Sequence, residues 1–266
     1  MPDYTIHRQG LISYITFGIL ENYGLKHGIF MRHGGVSPIP WSSLNMATSM
    51  GDSRENVLEN RRRITDCLDL QPTSIYDLWQ VHSKKVVEAK RPRSIEEHHI
   101  QADAIVTSKN GVSLLMLFAD CVPMLFFDSE KNAVGIAHAG WQGTLKNIAA
   151  AAVSAFKEKY GSNPANIRTV IGPAICKDHY EVGEDVANDA EALFRDDKNV
   201  ITMLDGKYYF DLVEANRTLL HRAGIQTVET SGVCTSCHKE DWFSHRGENG
   251  KTGRFAAVIS LDRYGR

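Results

Sequence analysis

The sequence predicts an α/β fold with α+β character: one domain over residues 1–266, with mixed β-sheets sandwiched between helices in αββα-type layers. Three observations predict it. Apolar runs rich in β-branched and aromatic residues at 104–107, 112–118, 124–127 and 133–137 are nearly continuous rather than alternating, as in strands buried on both faces. Apolar residues stepping by three and four mark helices around those runs. No internal repeat, low-complexity segment or linker divides the 266 residues, and elements of both kinds then form layers around a shared core.

Taken in order, residues 4–36 read as two or three short strands with turns at Gly10, Asn22-Tyr23-Gly24 and Gly34-Gly35. A helix follows, with Asp52 and Glu55 in a capping-box pattern and Val57, Ile64 and Leu68 on one face. Residues 75–87 read as extended chain and 90–101 as an exposed polar loop. After the four apolar runs, Leu145, Ile148, Ala149, Ala152, Phe156 and Tyr160 predict a long helix that Gly161 stops. A strand is expected at 167–171, ending at Gly172-Pro173. Helices are expected at 183–195 and 211–223, the latter capped by Asp211 and Glu214 and stopped by Gly224. Strands at 225–229 and 255–260 complete the pattern.

A net charge of −2, with 42% hydrophobic and 23% charged residues, gives no electrostatic push toward nucleic acid or anionic membrane. No stretch approaches the roughly 20 apolar residues of a membrane span, and the N-terminus lacks a secretory pattern, so a cytoplasmic protein is expected. Five cysteines, an odd number in a long chain, argue against a disulfide framework and leave thiols for metal or catalysis.

Three residues carry the chemistry: His82 in Trp-Gln-Val-His-Ser, Cys121 in Phe-Ala-Asp-Cys-Val-Pro, and His138 in Ala-His-Ala-Gly-Trp-Gln-Gly-Thr. Two imidazoles and a thiolate suit zinc, and three protein ligands leave an open position, the mark of a catalytic site. The fold must assemble them, because 39 residues separate the first pair and 17 the second. His138 ends a strand, and Gly140-Trp141 leads into a helix N-terminus that can present backbone N–H groups to an anion. Asp120 can orient a neighbouring imidazole or cap a turn. Cys234-Thr-Ser-Cys237-His238 matches a c-type haem attachment pattern, but that chemistry needs export. A zinc ribbon needs a second Cys-x-x-Cys, so the pair reads as unligated thiols.

In combination these motifs resemble the YlmD/YfiH family, formerly labelled multicopper polyphenol oxidase or laccase domain and since identified as zinc-dependent purine nucleoside phosphorylases. The matching segments include Arg32-His-Gly-Gly-Val-Ser37, Gln80-Val-His82, Ala102-Asp-Ala104, Ala119-Asp-Cys-Val-Pro123, Ala137-His-Ala-Gly-Trp141, Ile171-Gly-Pro173, Tyr180-Glu-Val182, Cys234-Thr235 and Phe243-Ser-His-Arg246, in order over nearly the whole chain. The resemblance implies one zinc ion per chain on His82, Cys121 and His138. It implies phosphorolysis of adenosine, inosine, guanosine and methylthioadenosine by inorganic phosphate, and hydrolytic deamination of adenosine. It favours a monomer. The position after Ala-His-Ala-Gly-Trp is often basic in the family and is Gln142 in this chain.

Phosphate also needs N–H donors and a cation. The turn at Gly140 and Trp141 can supply donors, and Arg61 or Arg246 can supply charge. Trp141 or Phe243 can stack on a purine. Four other readings use the same residues. Copper oxidation of phenols needs paired His-x-His motifs, and none occurs among the 11 histidines; copper can still occupy the zinc site adventitiously. A Cys-His hydrolase would use Cys121 as nucleophile and His138 as base. A cell-wall precursor editing factor, a role to which some members are linked, would draw on the same pair. A zinc-stabilised binding module would need no reaction at all.

Overall fold

A computed structural model describes residues 4–195, 197 and 199–263. The N-terminal half contains β1 (Tyr4–Gln9), β2 (Ile12–Phe17), α1 (Gly18–Glu21), β3 (Leu25–Phe30), α2 (Arg54–Cys67), β4 (Ile75–Tyr76), β5 (Val86–Glu88), β6 (Ala104–Thr107) and β7 (Ser113–Phe118). Next come β8 (Val122–Asp128), β9 (Ala133–Ala139), α3 (Trp141–Leu145), α4 (Ile148–Tyr160), β10 (Ile167–Ile171), β11 (Glu181–Val182) and α5 (Glu184–Leu193). The chain closes with β12 (Ile201–Leu204), β13 (Lys207–Phe210), α6 (Leu212–Arg222), β14 (Thr227–Thr230) and β15 (Phe255–Arg263).

Two six-stranded mixed sheets form the middle of the molecule. One has the order β1-β2-β3-β15-β7-β4 and the other β14-β10-β8-β9-β6-β5; β11, β13 and β12 make a small third sheet. Strand alternation explains the continuous apolar runs. On β7, Leu114, Met116 and Phe118 face the second sheet while Leu115 and Leu117 face the layer containing Ile64 of α2 and its C-cap Leu68. On β8, Leu125 and Phe127 enter the space between the sheets while Val122, Met124 and Phe126 pack toward α4 and α6. The layers therefore run α2, sheet, sheet, α4 with α6, as the sequence predicts. Phe126 and Phe156 are fully buried, each worth about 1.5–3 kcal/mol relative to exposure. Gly135 makes this fit possible, since a Cβ there would sit 2.8 Å from the Phe156 ring.

Local details differ from the sequence expectations. The expected helix through Leu145–Tyr160 is two: α3 and α4 meet at Asn147, which adopts φ +61° and caps α4 by accepting from Ala150 N. Ser53, not Asp52, is the N-cap of α2, accepting from Asn56 N; Asp52 instead accepts from Ser53 N and the Asn56 side chain. Most of 75–87 is irregular between β4 and β5, and β11, β12 and β13 are not read as strands from the sequence. Among the described residues, no helix is long and apolar enough to cross a membrane.

Candidate metal centre and cavity

The antiparallel register of β8 and β9 pairs Pro123 with His138 and Val122 with Ala139. Cys121 is thereby brought beside the turn at Gly140. Ala137 and Ala139 pack on the helix side, so strand alternation turns His138 the other way, its ring centroid 5.5 Å from that of Phe118. Cys121 follows Asp120, which holds φ +80°. Asp120 is kept there by the Thr235 hydroxyl donating to Oδ1 (2.6 Å), Arg246 N to Oδ2 (2.6 Å) and Ile175 N to its carbonyl (3.0 Å). His82 sits on the irregular segment at φ +56°.

Asp103, fully buried, joins two of these pieces. Its carboxylate accepts from Val81 N (3.2 Å), His82 N (3.0 Å), Ser83 N (2.6 Å) and the Ser83 hydroxyl (2.8 Å). It also receives His138 Nδ1 at 2.9 Å, which leaves Nε2 of that ring for a ligand. Burial alone raises the Asp103 carboxyl, but the hydrogen bonds from His138 and Ser83 outweigh it and bring it down to about 2.

One donor atom each from His82, Cys121 and His138 lie within 4.8 Å of one another, with Cys121 Sγ 3.8 Å from His82 Nε2. Burial raises the Cys121 thiol, yet the charge of His138 and hydrogen bonds with both imidazoles draw it down to about 6. Burial likewise lowers His138, against the stronger pull of the Cys121 sulfur and Asp103, which raise it to about 9. A readily formed thiolate, two imidazoles and an orienting carboxylate are a donor set that fits a zinc-like cation. Gly140 lets His82 and Cys121 approach, because a Cβ there would lie 2.7 Å from His82 Cδ2 and 2.9 Å from Cys121 Sγ.

A cavity of about 430 Å³ opens on these three residues, a size suited to a small molecule. Arg61, Trp79, His99, His245 and Arg254 are among its walls. Arg61, Arg93 and His99 converge on Asp77 at 2.7, 2.7 and 3.3 Å. Burial raises the Asp77 carboxyl, but the His99 hydrogen bond and the Arg61 charge hold it well below the usual carboxylate range. One carboxylate thus faces two guanidiniums, and Arg61 Nε is buried without a hydrogen-bond partner. Arg254 makes no ion pair among the described residues; its Nη1 donates to the Gly253 and Thr252 carbonyls at 2.9 and 3.4 Å. Trp79 is 54% exposed, an aromatic face at the mouth.

The structure thus brings together His82, Cys121, His138 and Arg61, with Gly140 packed against the first two. Trp141 and Arg246 do not line the cavity. Trp141 packs on the helix-side core, and Arg246 donates to the Glu181 carbonyl (2.9 Å) with its guanidinium over the Tyr180 ring. Phe243 is fully buried. Gln142 has a basic neighbour one helical turn on: Lys146 Nζ donates to the His82 carbonyl at 2.8 Å and approaches Gln142 Oε1 at 3.5 Å. Sequence reasoning did not single out Asp103, which contacts His138, or Trp79, His245 and Arg254, which line the cavity. Asp103 lay within a matched motif, and Arg254 immediately precedes a strand buried on both faces, the only local sign of its direction.

Comparison with known proteins gives a consistent result. The family model described as multi-copper polyphenol oxidoreductase laccase matches residues 26–262. A Bacillus subtilis protein named purine nucleoside phosphorylase YlmD is 37% identical over 88% of this chain and 87% of its own length. A Deinococcus radiodurans protein named purine nucleoside phosphorylase is 38% identical over 91% of each. The crystal structure of YlmD from Geobacillus stearothermophilus superposes with a TM-score of 0.92 at 32% identity over 100% of both chains. That of Bacillus licheniformis YfiH gives 0.87 at 33% identity, over 97% of this chain and 99% of its own.

Proposed function

From membership of the multi-copper polyphenol oxidoreductase laccase family, to which the chain belongs, we propose that it is a zinc-dependent purine nucleoside phosphorylase with adenosine deaminase activity. Its substrates are adenosine, inosine, guanosine and methylthioadenosine with inorganic phosphate. The observation that supports this best is the His82, Cys121 and His138 cluster opening on a cavity that also holds Arg61 and Arg254. Held by those three side chains, zinc would supply a Lewis acid with an open coordination position.

The chain's own groups do the rest. Arg61 and Arg254 attract phosphate into the cavity, where low polarity strengthens their charge. Asp103 holds His138 in the tautomer with the proton on Nδ1. Trp79 stacks on the purine and fixes C1′ of the ribose beside the phosphate. As a phosphate oxygen bonds to C1′, the C1′–N9 bond breaks and its electrons pass to the purine, which takes up a proton from solvent water. His245, on the same cavity wall, offers the base a hydrogen-bonding ring; burial, and next the Arg254 charge, lower its pKa and so disfavour its charged form. For deamination, water adds at C6 of adenine and ammonia leaves.

A second reading has one specific observation behind it: Cys121, His138 and Asp103 also form the sequence of contacts of a cysteine nucleophile, base and orienting carboxylate. Metal content separates the two, since a stoichiometric ion on Cys121 leaves no free nucleophile. The deciding incubation is adenosine with metal-counted protein, with and without phosphate, the products separated by chromatography. Adenine only with phosphate is expected, and inosine in both. Neither product with metal present would reject the proposal.

A further inference from the structure

The Cys234-Thr-Ser-Cys237 pair, read from sequence as unligated thiols, has company in the folded chain. The parallel strands β10 and β14 send their following loops side by side, joined where Ala174 N donates to the Val233 carbonyl and Thr235 N to the Ala174 carbonyl. The first loop carries Cys176 and His179, the second Cys234 and Cys237. One donor atom from each of the four lies within 4.8 Å of the others. His179 Nδ1 is 3.2 Å from Cys176 Sγ and 3.5 Å from Cys237 Sγ. A tetrahedral zinc ion, with bonds of about 2.3 Å to sulfur and about 2.0–2.1 Å to nitrogen, spaces its donors roughly 3.5–3.8 Å apart. Cys234 Sγ also accepts from Cys176 N at 3.3 Å and Cys237 N at 3.4 Å, two backbone donors directed at a sulfur that the fold buries. All five cysteines are free thiols.

We propose that Cys176, His179, Cys234 and Cys237 form a second, closed zinc site with a structural role. Three thiolates and one imidazole fill the tetrahedron, so no position remains for substrate or water. Thiolate-rich tetrahedral sites select zinc over oxygen-seeking cations. The site shares no residue with the His82, Cys121 and His138 cluster, and it raises the content to two zinc ions per chain. Its placement gives it a purpose. Ile175, beside Cys176, donates to the Asp120 carbonyl, and Thr235, beside Cys234, donates to the Asp120 carboxylate. The ion therefore ties together the two loops that hold the Asp120-Cys121 turn in its left-handed conformation.

The test isolates this site by removing the other. Full-length Cys121→Ser, purified under reducing conditions, is expected to retain one zinc per chain, and Cys121→Ser with Cys237→Ser none. A zinc-free Cys121→Ser protein, or an unchanged zinc count on removing Cys237, would overturn the proposal. Should the double variant fail to fold, cobalt added to metal-stripped Cys121→Ser provides an independent reading. Intense thiolate-to-cobalt and tetrahedral bands are expected, and a pale octahedral spectrum contradicts the site. Thiol counting on denatured, chelated Cys121→Ser should find four free thiols; two would mean a disulfide and no site. Finally, chelation should lower the Tm of Cys121→Ser, and no shift would remove the structural role.

Discussion

Replacing Gly140 with alanine asks whether the three donors converge as described. The new Cβ would lie 2.7 Å from His82 Cδ2, 2.9 Å from Cys121 Sγ and 3.2 Å from His82 Nε2. Carbon atoms rest about 3.5–4.0 Å apart, so the imidazole must retreat by about 1 Å, whereas metal–ligand distances tolerate only about 0.2 Å. The backbone does not object, since Gly140 has φ −78° and ψ −179°, which alanine adopts freely. As the N-cap of α3, alanine costs the fold about 0.5–1 kcal/mol. Zinc affinity at the three-ligand site should fall about 10–100-fold, the scale on which disturbed ligand orientation acts, while the protein stays folded. Zinc bound per chain at buffered free zinc measures this, the relevant step being the one that Cys121→Ser lacks. Gly143→Ala is the control. Its Cβ would meet nothing closer than 3.4 Å, and inside α3 it should stabilise by up to about 1 kcal/mol with zinc unchanged. A Gly140→Ala protein that binds zinc like the wild type would refute the close approach.

Three further outcomes are expected. Asp103→Asn, which puts an amide NH₂ among five donors, should weaken zinc about 10–100-fold and lower stability by on the order of 3 kcal/mol; unchanged affinity in a chelator competition would contradict its orienting role. Arg254→Gln should raise the KM for phosphate about tenfold or more with zinc content intact; a rise confined to the nucleoside KM would assign Arg254 elsewhere. His27, fully buried, donates from Nδ1 to the Leu25 carbonyl and accepts from Phe17 N, and burial lowers it from 6.5 to about 4. The unfolded chain then binds the proton first, so stability is intact above pH 6.5 and falls as pH drops toward 4, by about 3 kcal/mol in all. Urea midpoints across that range should show the slope in the wild type and lose that contribution in His27→Leu; equal slopes would contradict it.

Legibility from sequence followed the physics of each segment. Strands β6, β7, β8, β9 and β15 were readable because burial on both faces leaves few polar positions. The α3–α4 break was not, because Asn147 interrupts an apolar period that runs on without regard to its left-handed backbone. Cys121 and His138 were recognisable from their flanking motifs, and only the β8–β9 register shows how they meet. Sequence reading singled out Arg246, in its matched motif, and not Arg254. Strand direction at β15 puts Arg254 on the cavity wall, whereas the Asp120 turn draws Arg246 behind it. Cys176 and His179 gave no signal, since their partners lie in a loop 58 residues on.

The central claim is that one cation on His82, Cys121 and His138 drives phosphate into a nucleoside. It is tested most directly by turnover of adenosine in phosphate by the wild-type chain and by Cys121→Ser, with zinc counted in both. The wild type should release ribose 1-phosphate in an amount equal to adenine plus hypoxanthine, and Cys121→Ser, carrying one zinc fewer, should release none of them. Turnover by Cys121→Ser at the wild-type rate would contradict the account.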